Sequence, residues 1–247
     1  MKKINDYFDK IYVLTVGATE ERINTLKIRL EGLNFEIFEG TDGRKYLPQI
    51  ESLNKFPKEF FIENKIDSQR FNILSKGQLG CSLSHIEIYK KIVKSSYNRT
   101  LILEDDAFIE KKDYCAFDKL IEKLPANWEL LYLGYKDVVK KQRTFPVLIQ
   151  KIYHLIKKNK IYNIPFGKDA KGFYSTKEKY YLKSGVYLAT YGYAIDLQGA
   201  KKVLEYCLPV RFLADELLMD MVYNNKILSF VSKEPLINHS YNFQSST

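Results

Sequence analysis

The sequence predicts an α/β fold with a mainly parallel central sheet flanked by helices. Short apolar, β-branched runs alternate with amphipathic stretches along the chain, the pattern of a parallel sheet with crossover helices. The first forty residues hold a complete strand–helix–strand unit. One apolar run ends directly in three consecutive carboxylates, as expected at the carboxyl edge of an open sheet, where ligands bind.

Ile11-Tyr-Val-Leu-Thr-Val16 reads as a buried strand, ended by Gly17. Glu20 and Glu21 then suit the first turn of a helix, where acids are favoured by the helix dipole. Ile23, Leu26, Leu30 and Leu33 follow at spacings of three and four, one apolar helix face. Phe35 to Phe38 reads as the second strand, stopped by Gly40-Thr-Asp-Gly43. Residues 46–74 are mixed and predict loops and a short helix. Ser75 and Gln78 form a capping-box pattern, with Leu79, Leu83, Ile86 and Val93 marking a helix to about Lys94. Thr100 to Leu103 is the third strand and runs into Glu104-Asp-Asp106. Strands follow at Trp128 to Leu133 and at Val186 to Ile195, the latter interrupted by Gly192. Leu197 to Cys207 and Asp215 to Asn224 read as helices, and Ile227 to Val231 as a last strand.

Composition narrows the class. The chain has 247 residues, 45% hydrophobic and 14% aromatic, enough for one large core, and a single domain over 1–247 is expected. No apolar run approaches a membrane span. The first apolar run is too short and too late for a signal peptide, which predicts an intracellular protein. Cys81, Cys115 and Cys207 are far apart and form no Cys-x-x-Cys pair, so neither a disulfide framework nor a zinc knuckle is indicated. The net charge is +9, and it is concentrated. Between Lys136 and Lys183 thirteen Lys and Arg face three acids, a net +10, leaving −1 over the rest. This segment reads as a basic insertion at about 136–183. It suits an anionic surface such as lipid headgroups, a phosphorylated glycan or nucleic acid, or is simply a lysine-rich face. No helix-turn-helix, zinc-finger or RNA-recognition pattern supports nucleic acid.

The chemistry concentrates in Glu104-Asp-Asp106. Three adjacent acids repel one another and need a counter-charge. A divalent cation supplies one, and hard oxygen ligands suit Mn²⁺ or Mg²⁺ shared with substrate phosphates. Glu104 and Asp106 point the same way if the chain is extended. A polar strand end or helix cap is the plain alternative. Ser84-His85 is no nucleophile pair, because adjacent helical residues do not face each other and no Gly-x-Ser-x-Gly turn exists. His85 is either a ligand contact or a satisfied core histidine. Asp215 and Glu216 open a helix, where Asp serves as a cap, or one of them serves as a general base. His239 follows a predicted strand and could complete a metal shell. Tyr191-Gly192-Tyr193 sets a glycine between two aromatics, suited to packing on a sugar ring or to an ordinary strand.

Taken in order, these pieces resemble glycosyltransferase family 25, the lipooligosaccharide galactosyltransferase family. The matching stretches are Ile11-Tyr-Val-Leu14 with Glu21-Arg22, Phe35 to Arg44, Gly77-Gln-Leu-Gly-Cys-Ser-Leu-Ser-His85 and Leu101-Ile-Leu-Glu-Asp-Asp-Ala107. Tyr191-Gly-Tyr-Ala-Ile195 with Gly199-Ala200, Asp215-Glu-Leu-Leu218 and Ser245-Ser-Thr247 follow. The resemblance covers nearly the whole chain except the basic insertion.

The resemblance implies a GT-A-like nucleotide-sugar-binding fold and metal-dependent inverting sugar transfer, usually from UDP-galactose to form a β linkage. UDP-glucose or a UDP-N-acetylhexosamine remains open as donor, and a non-catalytic glycan-binding protein is the rival from another class. On this reading Thr15, Arg22, Asp42, Gly80, Ser84, His85, Glu104 and Asp105 lie on the donor side. Asp106, Glu104 and His239 hold Mn²⁺ (or Mg²⁺), Asp215 or Glu216 is the base, and Tyr191, Gly192 and Tyr193 face the acceptor. The expected partners are a UDP-sugar, a lipooligosaccharide or other glycan, and an anionic membrane surface met by the basic segment. The expected location is the inner face of the cytoplasmic membrane.

Overall fold

The first strand, β1 (Lys10–Thr15), is buried on both faces. Ile11 and Val13 enter one apolar cluster while Tyr12 and Leu14 enter another, because successive side chains on a strand point to opposite faces. A computed structural model describes residues 2–46, 76–136, 180–183, 188–208, 210 and 213–239. A short helix, α1 (Lys2–Tyr7), precedes β1. Gly17 then takes a positive φ of 64°, and Thr19 caps α2 (Glu20–Arg29) by accepting the Arg22 N–H. The Gly17 and Ala18 amides donate to the Glu39 carboxylate, tying this turn to the end of β2 (Glu36–Glu39). Leu26 and Leu30 are buried as the spacing predicts. The helix stops at Arg29, so buried Leu33 belongs to the following turn.

After α3 (Gly43–Tyr46) come α4 (Lys76–Ser95), β3 (Arg99–Glu104), β4 (Ala107–Phe108) and α5 (Lys111–Lys123). The remaining elements are β5 (Leu130–Lys136), β6 (Tyr181–Lys183), β7 (Leu188–Asp196), α6 (Leu197–Tyr206), α7 (Ala214–Tyr223), β8 (Ser229–Ser232) and β9 (Asn238–His239). Seven strands form one sheet in the order β2-β1-β3-β7-β5-β8-β6, and β4 pairs with β9 in a separate ribbon. β1 is parallel to β2 and β3, and β5 is parallel to β8. β7 runs against both β3 and β5, and β6 against β8. Five of the seven strands therefore share one direction, and the reversed β7 sits in the middle.

Helices cover both faces. Tyr12, Ile102, Tyr132 and Tyr193 pack in a cluster with Leu79, Tyr89 and Ile92 of α4, Val203 of α6 and Leu218 of α7. On the other face Ile11, Val13, Leu103 and Leu133 share a cluster with Ile4 of α1, Leu26 of α2 and Phe117 of α5. Among the described residues no helix is long and apolar enough to cross a membrane. The capping residue Ser75, the mixed stretch beyond Tyr46, nearly all of the basic segment and the closing Ser245-Ser-Thr247 lie outside the described residues.

Candidate active site

Parallel pairing brings the ends of β1 and β3 to one edge, with Leu14 opposite Glu104. Thr15 therefore lies beside the acidic turn that follows β3. Its hydroxyl donates to Asp105 Oδ2 at 2.8 Å. Arg22, at the start of α2, forms an ion pair with the same oxygen. Arg29, two turns further along α2, donates to the Asp105 main-chain carbonyl. The counter-charge that the acid triplet requires thus comes in part from the chain itself. Asp105 is occupied as an anchor, with its carboxylate and its carbonyl both held.

Glu104 and Asp106 are placed differently. Burial raises the Glu104 carboxyl to about 8, with Asp106, Asp215 and Asp105 adding in that order. Burial and Asp105 also raise Asp106, while His239 and Arg29 pull it down. Asp106 Oδ1 is buried without a hydrogen-bond partner. Ala107 pairs with His239 across the β4–β9 ribbon, which sets His239 beside Asp106, and the His239 ring packs tilted by 34° against Tyr191 at 4.0 Å between centroids. Among the described residues no three His, Cys, Asp or Glu side chains form a closed metal cage. An orphaned buried carboxylate oxygen beside a second enclosed acid nevertheless fits a hard divalent cation. Such ions often take one or two carboxylates and complete their shell with substrate phosphates and water.

Asp215 and Glu216 both accept main-chain N–H groups at the start of α7, Asp215 Oδ1 from Glu216 at 2.9 Å. The Glu216 carboxylate accepts the Leu213 N–H and closes the start of α7. Asp215 lies in the electrostatic field of Glu104 and of Cys81 on α4. The Cys81 thiol is pushed up to about 12, first by burial and then by Glu104 and Asp215, so it is an unreactive neighbour of the acids.

The glycine and serine of α4 position a loop. A Cβ on Gly80 would lie 2.6 Å from the Thr41 carbonyl oxygen and 2.6 Å from the Gly43 nitrogen. Ser84 Oγ accepts the Thr41 N–H at 2.8 Å and donates to the Gly80 carbonyl at 2.6 Å. These contacts hold Thr41 and Asp42 after β2, and Asp42 in turn accepts from Arg44. His85 is 2% exposed; its Nδ1 is 2.8 Å from the Tyr193 hydroxyl, which is 2.6 Å from that of Tyr89. Burial holds the imidazole down at about 4, so it is neutral. His85 and Tyr193 are core residues, and Tyr193, 1% exposed, offers no ring face to a sugar. At Gly192 the close approach comes from within the chain: a Cβ there would lie 2.6 Å from Ile237 Cδ1. Tyr191 is the part-exposed member of that trio. Sequence reasoning missed Arg29 and Tyr89. The available signal was position, since Arg29 follows Arg22 by two turns of one helix and Tyr89 follows His85 by one.

Comparison with known proteins agrees with the motifs. A profile of glycosyltransferase family 25 (LPS biosynthesis protein) matches residues 8–219, and the chain belongs to that family. Human procollagen galactosyltransferase 2 is 26% identical over 141 residues, covering 55% of this chain and 22% of that protein. Human inactive glycosyltransferase 25 family member 3 is 36% identical over 142 residues, covering 56% of this chain and 23% of that protein. The chain thus matches less than a quarter of the length of either relative. Among solved structures, a glycosyltransferase involved in glycosylation of the PBCV-1 major capsid aligns over 95% of this chain and 94% of that one, at 11% identity and a TM-score of 0.39.

The raised Glu104 makes a signed prediction. A carboxyl that holds its proton more tightly when folded contributes stability below its unfolded value of about 4.5, and that stability is lost as pH rises toward about 8. Metal-free protein should therefore lose stability through this group as pH rises from 5 to 8, and Glu104→Gln should flatten that slope. Denaturant unfolding at a series of pH values checks it; an equal slope in the variant rules the assignment out.

Proposed function

We propose that this family 25 chain is an inverting glycosyltransferase that moves a hexose, galactose first, from a UDP-sugar to a saccharide of a lipooligosaccharide, forming a β linkage. The observation that carries the reading is the division of the acid triplet. Asp105 is anchored by Thr15 and Arg22, while Asp106 keeps an unpartnered buried oxygen and Glu104 stays enclosed among acids. The family description supports sugar transfer in lipopolysaccharide synthesis. A relative named as a galactosyltransferase supports galactose.

Glu104 and Asp106, with His239 alongside, are the residues that would hold Mn²⁺ or Mg²⁺. When bound, the cation would neutralise charge developing on the departing diphosphate as a Lewis acid. Asp215 is the general base: the acceptor hydroxyl donates its proton to the Asp215 carboxylate as the new glycosidic bond forms and the anomeric C–O bond to the diphosphate breaks. Glu216, spent on the start of α7, fixes the helix that carries Asp215. Asp42, carried on the loop that Gly80 and Ser84 hold, is the proposed contact to the nucleotide. Tyr191, part-exposed beside His239, is the acceptor-side aromatic. The basic stretch Lys136–Lys183 docks on an anionic membrane surface that presents the lipid-linked acceptor.

A second reading has its own observation. The 36% identity is to a relative named as inactive, which favours a non-catalytic glycan-binding member.

UDP release from a panel of UDP-sugars, with saccharide acceptor, with Mn²⁺ and with chelator, separates the readings. The expected result is chelator-sensitive release, strongest with UDP-galactose, with kcat about 10² to 10⁴ lower in Asp215→Asn. UDP-glucose or a UDP-N-acetylhexosamine as the preferred donor would change the sugar and keep the class. No release from any donor would give way to the binding-protein reading. Sedimentation with anionic vesicles tests the basic segment: binding should weaken as salt rises from low to physiological strength, and salt-independent binding would contradict docking by charge.

A further inference from the structure

Arg29 belongs to none of the stretches that carry the family resemblance, yet it reaches the acidic turn. We propose that Arg29 is a positioning residue that sets the orientation of Asp106 by holding the Asp105 carbonyl. What Asp106 is oriented for rests on the transferase reading above.

The argument begins with helix geometry. Arg22 and Arg29 are seven residues apart on α2, nearly two full turns, and so share a face about 10 Å apart along the axis. Leu26 lies between them and is buried against the sheet, which points that face inward. The two guanidinium groups then divide the work. Arg22 grips the Asp105 side chain, together with Thr15, and Arg29 grips the Asp105 main chain.

The main-chain contact acts one residue further on. The peptide joining Asp105 to Asp106 is planar, so fixing its carbonyl oxygen fixes the direction of the Asp106 N–H and the path to its Cα. On the far side, Ala107 is already paired with His239 in the β4–β9 ribbon. Asp106 is thus suspended between two fixed points, with His239 and Arg29 both attracting its carboxylate, while its enclosed Oδ1 has no hydrogen-bond partner. A basic residue in the last turn of a helix is favoured by the helix dipole alone. That accounts for the charge at this position, but not for a bond to a carbonyl on the neighbouring strand's turn. Lysine is an incomplete substitute, because it presents a point charge on a flexible stem where arginine presents a rigid planar fork.

Two readouts on the full chain test the proposal. One is amide hydrogen exchange of the 104–108 segment in metal-free protein, which needs no assumption about function. The other is Mn²⁺ binding in the presence of UDP, read as loss of the free-ion signal by electron paramagnetic resonance. In Arg29→Met, exchange of 104–108 should rise about tenfold while the rest of the sheet stays protected, and the Mn²⁺ dissociation constant should rise about tenfold or more. Arg29→Lys, which keeps the charge and the stem, should fold and fall between wild type and Arg29→Met on both readouts. Wild-type exchange and wild-type Mn²⁺ affinity in Arg29→Met would overturn the proposal. Should Arg29→Met fail to fold, wild-type values of both in Arg29→Lys would overturn it equally. Faster exchange in Arg29→Met, in a protein whose wild type binds no Mn²⁺ with UDP, would support the positioning of the turn and remove the metal-dependent part of the transferase reading instead.

Discussion

The grip of Thr15 and Arg22 on the Asp105 carboxylate is the contact on which the site depends. Three consecutive acids at the end of a buried strand are electrostatically untenable without compensation. Here the compensation is built from β1 and α2, the first strand and helix of the fold, acting on the middle acid alone. Because Asp105 turns toward that pair, Glu104 is left in the electrostatic field of Asp106 and Asp215. The sheet order makes this possible, since β1 and β3 are parallel neighbours that end at the same edge.

That arrangement concentrates uncompensated negative charge where a cation and a diphosphate can share it. Burial among these acids raises the Glu104 carboxyl, and Asp106 keeps one oxygen buried and unpartnered. Neither is a stable end state for a structural surface. Both suit a site completed by a ligand, and an open two-carboxylate platform is the usual protein share of a site in which substrate phosphates complete the shell. The reversed strand β7 has a further consequence. It lays Gly192 beside Leu103, and over that glycine Ile237 crosses to lead the chain into β9. His239 reaches Asp106 through that crossing. The glycine therefore serves the site through the chain's own packing.

Much of the fold was legible in the sequence, because strands buried on both faces and an amphipathic α2 carry strong patterns. β1, β3, α4 and α6 lie close to where the pattern puts them. α5 carries a pattern as strong, since Tyr114, Phe117, Leu120 and Leu124 repeat at three and four residues and are all buried. Strand direction was not legible. Val, Ile and Leu runs are alike in parallel and antiparallel pairs, so β7 could not be seen to run backwards. The two-residue β4 and β9 are too short to show any period. Within the site, residue type alone marked Glu104, Asp106 and Asp215. It did not reveal that His85 and Tyr193 bond each other inside the core, because that bond joins residues 108 positions apart. The spacing from Arg22 put Arg29 on the same helix face, but its partner is a carbonyl, and main-chain acceptors leave no mark on a sequence.

The central claim is that the acid triplet divides its labour, with Asp105 holding the turn and Asp106 left for a cation. Thermal unfolding of Asp105→Asn and Asp106→Asn, each with and without Mn²⁺ and UDP, tests it most directly. The account predicts a crossed pattern. Asp105→Asn should melt several degrees lower in the absence of ligands, having lost its part-buried ion pair. Asp106→Asn should melt at or above the wild-type temperature without ligands, because a repelling buried charge is gone, and should lose the stabilisation that Mn²⁺ and UDP confer. Equal melting of the two variants without ligands, together with retained stabilisation of Asp106→Asn by Mn²⁺ and UDP, would contradict it.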